Sequence, residues 1–314
     1  MISITIPVYN EEENLYLLHE SITSAMSNLK QIYEIIYVND GSTDNSKNIL
    51  DELSEGKDNI KVIHFKRNYG QTAAMMAGFD YAEGDIVIPM DADLQNDPKD
   101  IIKLLEKIDE GYDVVSGWRK DRQDNAIKRN LPSKMANLLI SKISGVRLND
   151  YGCTLKAYKK SFIEDVKLYG EMHRFIPIYA SWEGAKIAEV PVSHHARRFG
   201  VSKYGLNRIF KVLLDLLVVK FLEKYAKKPI HFFGGVGFLF LFLSFGTILY
   251  AIGLKLGTDL SLIRTPLPVM ASMFFTTGIV SILLGLLAEM QSRIYHESQQ
   301  KSIYSVSYTK NCNK

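Results

Sequence analysis

The sequence predicts an α/β fold, a mostly parallel sheet with helices on both faces, followed by an interfacial helix and two transmembrane helices. Three observations predict it. Apolar runs of strand length alternate with helical patterns over the first 118 residues. The stretch "LNRIFKVLLDLLVVKFLEKYA" (206–226) then reads as one mostly apolar helix with sparse charges, which suits a membrane surface. Beyond it, neither His231–Leu254 nor Thr265–Ala288 contains an Asp, Glu, Lys or Arg.

The elements follow in order. "ISITIPVY" is a buried strand and "EEENLYLLHESITSAMSNL" a helix. "YEIIYVND" is a strand, and "TDNSKNILDELSE" a helix opened by capping residues. "IKVIHF" is a strand, and "QTAAMMAGFDYA" a helix of small residues. "DIVIPMD" is a strand, "DPKDIIKLLEKIDEG" a helix with proline in its first turn, and "YDVVSGW" a fifth strand. Then "RNLPSKMANLLISKISG" reads as helical, and "KIAEVPVSHHARRFG" as a strand running into a basic loop.

Each charge-free run is long enough for a bilayer core, which needs about 20 apolar residues. The alternative is a pair of buried core helices. A core helix shows a polar face, and "GGVGFLFLFLSFGTILYAIGL" has none. Lys220, Lys224, Lys227 and Lys228 precede the first run, and Arg293 and Lys301 follow the second. The connecting loop carries only Lys255 and Arg264. The positive-inside rule therefore expects residues 1–230 and the C-terminal tail in the cytoplasm, in a multi-pass protein of the cell membrane. The N-terminus opens on a strand, so no cleaved leader is expected. The expected divisions are 1–205 for the α/β domain, 206–229 for the juxtamembrane helix, 230–290 for the hairpin and 291–314 for a cytoplasmic tail, polar and loose from Gln299. A net charge of +3 is too small to argue for nucleic acid, and none is expected as a partner. Cys153 and Cys312 make neither a disulfide framework nor a metal motif.

In such sheets ligands bind beyond the carboxyl ends of the strands. The first strand ends in Pro7-Val8-Tyr9-Asn10-Glu11, the second in Asn39-Asp40-Gly41-Ser42 and the fourth in Asp91-Ala92-Asp93-Leu94-Gln95. These polar tips should share one rim. There is no GxGxxG after the first strand and no GxxxxGK[ST]. Asp91, Asp93 and Gln95 are closely spaced oxygen ligands, suited to Mg²⁺ or Mn²⁺ carrying a diphosphate. The alternative is a solvated acidic turn. Asp40 can accept hydrogen bonds from a ribose or base, though "NDGSTD" is also good turn chemistry. In "HHARRFGVSKY", Arg197, Arg198 and Lys203 gather around Gly200, and Arg119 ends the fifth strand on the same rim. These cations suit phosphates. Lys120, Arg122 and Lys128 read as solvated surface, and His194 and His195 are assigned no metal.

The stretches "IPVYNEEENL", "VNDGSTDNS", "RNYGQTAAMMAGFDYAEGD", "MDADLQNDP", "GWR" and "RRFGVSKYG" together resemble family 2 glycosyltransferases. The similar group is the polyprenyl-phosphate hexosyltransferases, dolichol-phosphate mannose synthase and its bacterial two-span relatives among them. The resemblance covers about the first 205 residues, and the paired spans match the bacterial subgroup. It implies a GT-A fold that binds a nucleotide-diphosphate sugar. Carried over by position, it implies Pro7, Tyr9, Glu11, Val38 and Asp40 around the base and ribose. Asp91, Ala92 and Asp93 would meet ribose, diphosphate and metal, with Gln95 as a further metal ligand. Arg119, Arg197 and Lys203 would take the donor and acceptor phosphates. Cys153 stands where some relatives carry an acidic residue, so Asp150, the nearest carboxylate, is held as a candidate catalytic base.

The implied reaction is inverting transfer of a hexose to a polyprenyl phosphate, undecaprenyl or dolichyl, at the cytoplasmic membrane face. UDP-glucose is favoured as donor, with GDP-mannose next. Alternatives are transfer of an N-acetylhexosamine, a glycan-polymerising synthase, and a non-catalytic membrane scaffold. The synthase reading lacks its Q-x-x-R-W motif, and a scaffold should have lost the metal and phosphate residues. The oligomeric state stays open.

Overall fold

The computed structural model describes residues 1–27, 29, 31–120, 137, 140–142, 144–164, 166, 172–195, 230–257, 265–298 and 303–312. The interfacial helix expected at 206–226, Arg197, Arg198, Lys203 and most of the helix expected within 129–145 lie outside the described residues. The chain divides into two units, Met1–Leu217 with Ser302–Lys314, and Val218–Lys301.

The first unit is built on an eight-stranded sheet. Its strands are β1 (Ile2–Val8), β2 (Tyr33–Asn39), β3 (Ile60–Phe65), β4 (Ile86–Pro89), β5 (Val114–Trp118), β6 (Lys156–Lys159), β7 (Ile187–Pro191) and β8 (Val306–Lys310). They lie in the order β7-β5-β6-β4-β1-β2-β3-β8. β3, β2, β1 and β4 are parallel neighbours, as are β5 and β7. β6 is antiparallel to both β4 and β5, and β8 is antiparallel to β3.

The strands alternate sides as a pleat requires. Ile2, Ile4, Ile6 and Val8 of β1 join one core with Ile35 and Tyr37 of β2. Over that face lie α1 (Leu15–Ser27), α2 (Ser46–Leu53) and α4 (Ile101–Asp109). Ile36 and Val38 point to the other core, covered by α3 (Gln71–Tyr81) and α5 (Ile176–Trp182). The small residues of α3 have a steric reason. A Cβ on Gly78 would stand 2.8 Å from Thr5 Cβ, so the helix lies close against β1. Residues Thr72 to Phe79 are all buried.

One sequence expectation holds in detail and one needs correction. α2 is opened by Asp44, whose Oδ1 accepts from Ser46 N at 3.0 Å, while its N-cap Asn45 makes no side-chain cap bond. The tail is not loose throughout: Val306–Lys310 is the edge strand on β3. Its alternation is short and polar, so it has little hydrophobic signal of its own. It is held by particular bonds instead. Asn311 Nδ2 donates to the carbonyls of Ser54, Lys57 and Ile60, and Tyr304 OH donates to Asp80 Oδ2 at 2.7 Å.

The second unit holds α6 (Ile230–Gly257) and α7 (Leu267–Ser298). Within them Phe232–Gly257 and Leu267–Ala288 are long and apolar enough to cross a membrane, with mean hydropathies of 2.1 and 2.0. The helices pack antiparallel through small residues. Ser244 Oγ donates to Ala271 O at 2.8 Å, and the Phe240 and Phe274 rings lie 5.9 Å apart. A Cβ on Gly237 would meet Gly278 O at 2.8 Å, and one on Gly278 would meet Gly237 O at 2.9 Å. Phe238, Phe242, Phe245, Leu249, Leu283 and Leu287 are exposed, a surface suited to hydrocarbon.

Candidate active site

Because β2, β1 and β4 are parallel and adjacent, their carboxyl ends share one rim. Val8 pairs with Asn39 and Thr5 with Pro89, so the three polar tips emerge together. Two of the tips are strained. Asn10 has φ 53° and Leu94 has φ 57°, conformations uncommon for residues with a side chain. At the second tip Gly41 has φ +67°, and an added Cβ would stand 2.5 Å from the Arg67 carbonyl carbon. Only glycine fits there.

The acidic tip is well ordered by its own bonds. Asp91 Oδ1 accepts from Gln71 Nε2 at 2.8 Å, and Oδ2 accepts from Thr154 Oγ1 at 2.6 Å. Both donors are uncharged and orient the carboxylate, which also interacts electrostatically with the Arg119 guanidinium. Asp93 Oδ1 accepts from Gln95 N at 3.2 Å, which curls the turn through Leu94. Asp93 is buried to 7% exposure, Ala92 is buried, and Gln95 is half-buried.

Arg119 and Asp150 form a two-pronged pair. Arg119 Nε donates to Asp150 Oδ2 at 2.7 Å, and Nη2 donates to Oδ1 at 2.9 Å. Burial opposes the Arg119 charge, but the Asp150 carboxylate more than offsets it and holds the guanidinium protonated. Asp150 Oδ1 also accepts from Gly152 N at 3.0 Å. Asp150 was expected as a candidate base. Its oxygens are instead engaged by a fixed cation and a backbone amide, the geometry of a residue that positions Arg119. Cys153 is fully buried, and burial pushes its thiol up to about 11.

Asp40 does not lie open on the rim. It is 3% exposed, and its two oxygens accept from Tyr69 N at 2.6 Å and Gly70 N at 2.9 Å. It fastens the loop that leads into α3. Burial lifts its carboxyl to about 6 despite the two amide donors. The Val38 side chain is fully buried with Ile36 and Ile63, so it forms the floor beneath the rim. Pro7, Tyr9 and Glu11 are half-buried at the end of β1. Glu11 Oε2 accepts from Asn14 Nδ2 at 2.6 Å.

A short antiparallel bridge joins the acidic tip to the strand that precedes the basic loop. Asn96 pairs with His194, and His195 N donates to Gln95 O at 2.9 Å. His195 Nε2 lies 3.5 Å from Asp97 Oδ2. The two histidines are thus engaged beside the tip. Arg197 and Lys203 lie outside the described residues.

The oxygen donors at this tip suit a cation whose coordination a substrate completes. Among the described residues no group of three or more His, Cys, Asp or Glu could hold a metal. The protein side amounts to two carboxylates and one amide, all hard oxygen donors. That composition fits Mg²⁺ or Mn²⁺, which is held by one or two carboxylates and completed by substrate phosphates. It does not fit a metal caged by protein alone.

Sequence reasoning missed Gln71 and Thr154, the two side chains that orient Asp91. It also missed His173, whose Nδ1 lies 2.7 Å from Thr72 Oγ1 and so ties the segment before α5 to the start of α3. Gln71 falls inside "RNYGQTAAMMAGFDYAEGD", a stretch that carried the resemblance, and that was the available signal. Thr154 had none beyond its place after Cys153.

The comparisons with known proteins agree with this geometry. The family model for glycosyl transferase family 2 matches residues 3–167. The dodecaprenyl-phosphate galacturonate synthase of Rhizobium johnstonii is 40% identical, over 97% of this chain and 91% of its own. The undecaprenyl-phosphate 4-deoxy-4-formamido-L-arabinose transferase of Klebsiella pneumoniae is 38% identical, over 97% and 92%. Among solved structures, glucosyl-3-phosphoglycerate synthase from Mycobacterium tuberculosis, in complex with Mn²⁺ and UDP-glucose, matches with a TM-score of 0.54. That match is 18% identical and covers 70% of this chain and 78% of the other, so it speaks for the fold alone. The sheet with its acidic tip is the GT-A fold, and the chain belongs to glycosyl transferase family 2, in its polyprenyl-phosphate sugar transferase group.

Proposed function

We propose that this protein transfers a sugar from a nucleotide-diphosphate donor to a polyprenyl phosphate at the cytoplasmic face of the membrane. The observation that carries this reading is the convergence of Asp91 and Asp93 with the Asn96–His194 bridge. The bridge brings the strand that precedes the basic loop in sequence to the acidic tip. Arg197 and Lys203 follow it in the sequence, as the cations that the resemblance implies for the phosphates. The relatives named above act on polyprenyl phosphates, and their likeness runs through both apolar helices, as an acceptor that stays in the bilayer demands.

The chemistry needs little from the protein beyond placement. The acceptor phosphate has a second pKa of about 6, so near neutral pH it is a dianion with no proton to give up. Its oxygen bonds to the anomeric carbon as the bond to the diphosphate breaks, and one displacement inverts that carbon. A Mg²⁺ or Mn²⁺ ion, when bound, would stabilise charge on the departing diphosphate as a Lewis acid. Asp91 and Asp93, with Gln95, would hold it. Arg119, aimed by Asp150, and Arg197 and Lys203 would offset repulsion between the two phosphate groups. Pro7, Tyr9 and Glu11 would border the base, with Asp40 shaping the turn beside it.

The sugar is proposed only as a class. UDP-glucose and GDP-mannose are what the sequence resemblance implies, whereas the relatives' own names carry galacturonate and 4-deoxy-4-formamido-L-arabinose. The test is a panel of radiolabelled nucleotide sugars, these four among them, incubated with undecaprenyl phosphate and extracted into organic solvent. One donor should give a labelled lipid that disappears in Asp93→Ala, because that variant removes a ligand on which diphosphate binding depends. Labelled lipid from Asp93→Ala at the wild-type rate would refute the site, and no lipid from any donor would refute the reaction.

A further inference from the structure

The C-terminal strand reaches the rim through a chain of side chains. Tyr308 OH donates to Asp51 Oδ2 at 2.7 Å, and its ring stacks on His64 with centroids 4.4 Å apart. His64 Nε2 lies 3.2 Å from Asp51 Oδ1, and His64 Nδ1 lies 3.0 Å from Asn39 Nδ2. An amide nitrogen only donates, so Nδ1 accepts and Nε2 carries the proton toward Asp51. Burial keeps His64 below its ordinary pKa, which agrees with a neutral ring. Asn39 is thereby fixed in one orientation, and its Oδ1 accepts from Ser42 N at 2.9 Å. Ser42 Oγ accepts in turn from Asn10 N at 3.0 Å. The chain runs without a break from β8 to the tips of β2 and β1. His64 and Asn39, in the middle of it, are 2% and 3% exposed, so water does not compete there.

We propose that His64 and Tyr308 are positioning residues for the nucleotide-binding rim, holding the Asn39–Ser42 turn through Asp51 and Asn39. This rests on the reading of the rim as the nucleotide-sugar site. The turn carries Asp40 and Gly41, and its placement sets the gap between the first two polar tips. The strand that supplies Tyr308 follows both apolar helices in the chain. Donor affinity in this protein therefore depends on residues far beyond the segment that the family model matches.

The tail offers its own control. Tyr304 donates to Asp80 Oδ2 at the same 2.7 Å and stacks on Phe65 at 5.0 Å, but Asp80 lies near the carboxyl end of α3, away from this chain of bonds. The experiment is calorimetric titration of the full-length protein in nanodiscs with the nucleotide sugar that the donor panel selects. Turnover is measured against polyprenyl phosphate in parallel. Tyr308→Phe keeps the stacked ring and removes only the hydroxyl. It should raise the donor Kd about three- to tenfold, the scale of one hydrogen bond. The KM for polyprenyl phosphate and kcat should stay within about twofold. Tyr304→Phe should leave the donor Kd unchanged while lowering Tm. His64→Gln should show the same donor-selective loss, and its combination with Tyr308→Phe should be less than additive, as for residues in one network.

Equal losses from the two tyrosine variants would show that the tail only needs to dock, and would overturn the proposal. So would no loss from either, or full additivity with His64→Gln. If Tyr308→Phe does not fold, His64→Gln against Tyr304→Phe decides the question by the same criterion. A wild-type protein that binds no nucleotide sugar would sink the functional reading and this inference together. Normal binding with an unaffected Tyr308→Phe sinks the inference alone.

Discussion

Asp150 and Asp40 are both carboxylates beside the rim, and their surroundings give them different work. Asp150 is 3% exposed and meets Arg119 through both oxygens. Removing one partner of a buried pair leaves the other uncompensated, at a cost of about 3 kcal/mol or more. Asp150→Asn should lower Tm and reduce turnover in parallel at every pH. If Asp150 were the base, its loss would instead remove the acid limb of the pH–rate profile. Asp40 titrates near 6 in the folded protein against an ordinary 3.8, because burial outweighs its two amide donors. The folded state therefore holds this proton more tightly than the unfolded chain does. The stability Asp40 contributes is complete below about pH 3.8 and is lost as pH rises through about 6. Thermal unfolding of wild type and Asp40→Asn across that window should show wild type losing up to about 3 kcal/mol relative to the variant. At this scale the sequence was partly legible. The acidic motif could be found because a strand ending in Asp91 and Asp93 is chemically odd. Its supports could not, because Gln71 and Thr154 meet Asp91 only once helix and sheet are packed.

Among elements, the first five strands and four helices were legible because each carries its own pattern of apolar residues. Two strands were not. β6 is only four residues long and slots between β4 and β5, a placement no local pattern encodes. β8 is a polar edge strand whose bonds go to residues distant in sequence. The hairpin was legible as two apolar runs, but its contact was not, since no local pattern marks which of its glycines faces the partner helix. The structure singles out Gly237 and Gly278, which let the backbones approach in the manner of small residues between membrane helices. Gly278→Val would place its Cβ 2.9 Å from both Gly237 O and Leu241 Cγ. It should destabilise the hairpin by about 1–3 kcal/mol, the usual cost of overpacking. Gly246→Val meets nothing within 4 Å and should be neutral. Disulfide trapping between cysteines at Ser244 and Ala271 would read the difference as slower cross-linking in the first variant only.

For the molecule as a whole, the sheet constrains the path of the chain. Strands β1–β7 precede the two apolar helices and β8 follows them, yet all belong to one sheet. A sheet cannot be shared across a bilayer, so the chain must cross an even number of times between β7 and β8. Two crossings meet that condition and agree with the lysine-rich flank. With Cys153 and Cys312 replaced by serine, Ser261→Cys should react with an impermeant maleimide in intact cells. Ser307→Cys, on the exposed side of β8, should react only after permeabilisation; the reverse pattern would invert the proposed orientation. The same strand has a consequence for how the protein is made. Tyr308 and Asp51 are 257 residues apart, so β3 emerges from the ribosome long before its neighbour exists. At about 5–20 residues per second, its open edge waits on the order of ten to fifty seconds while both apolar helices are synthesised. During that interval Val62 and Ile63 present an unpaired strand to any other nascent chain. A ribosome that stalls after the second apolar helix releases a chain that can reach the membrane but is left with an adhesive β3 edge.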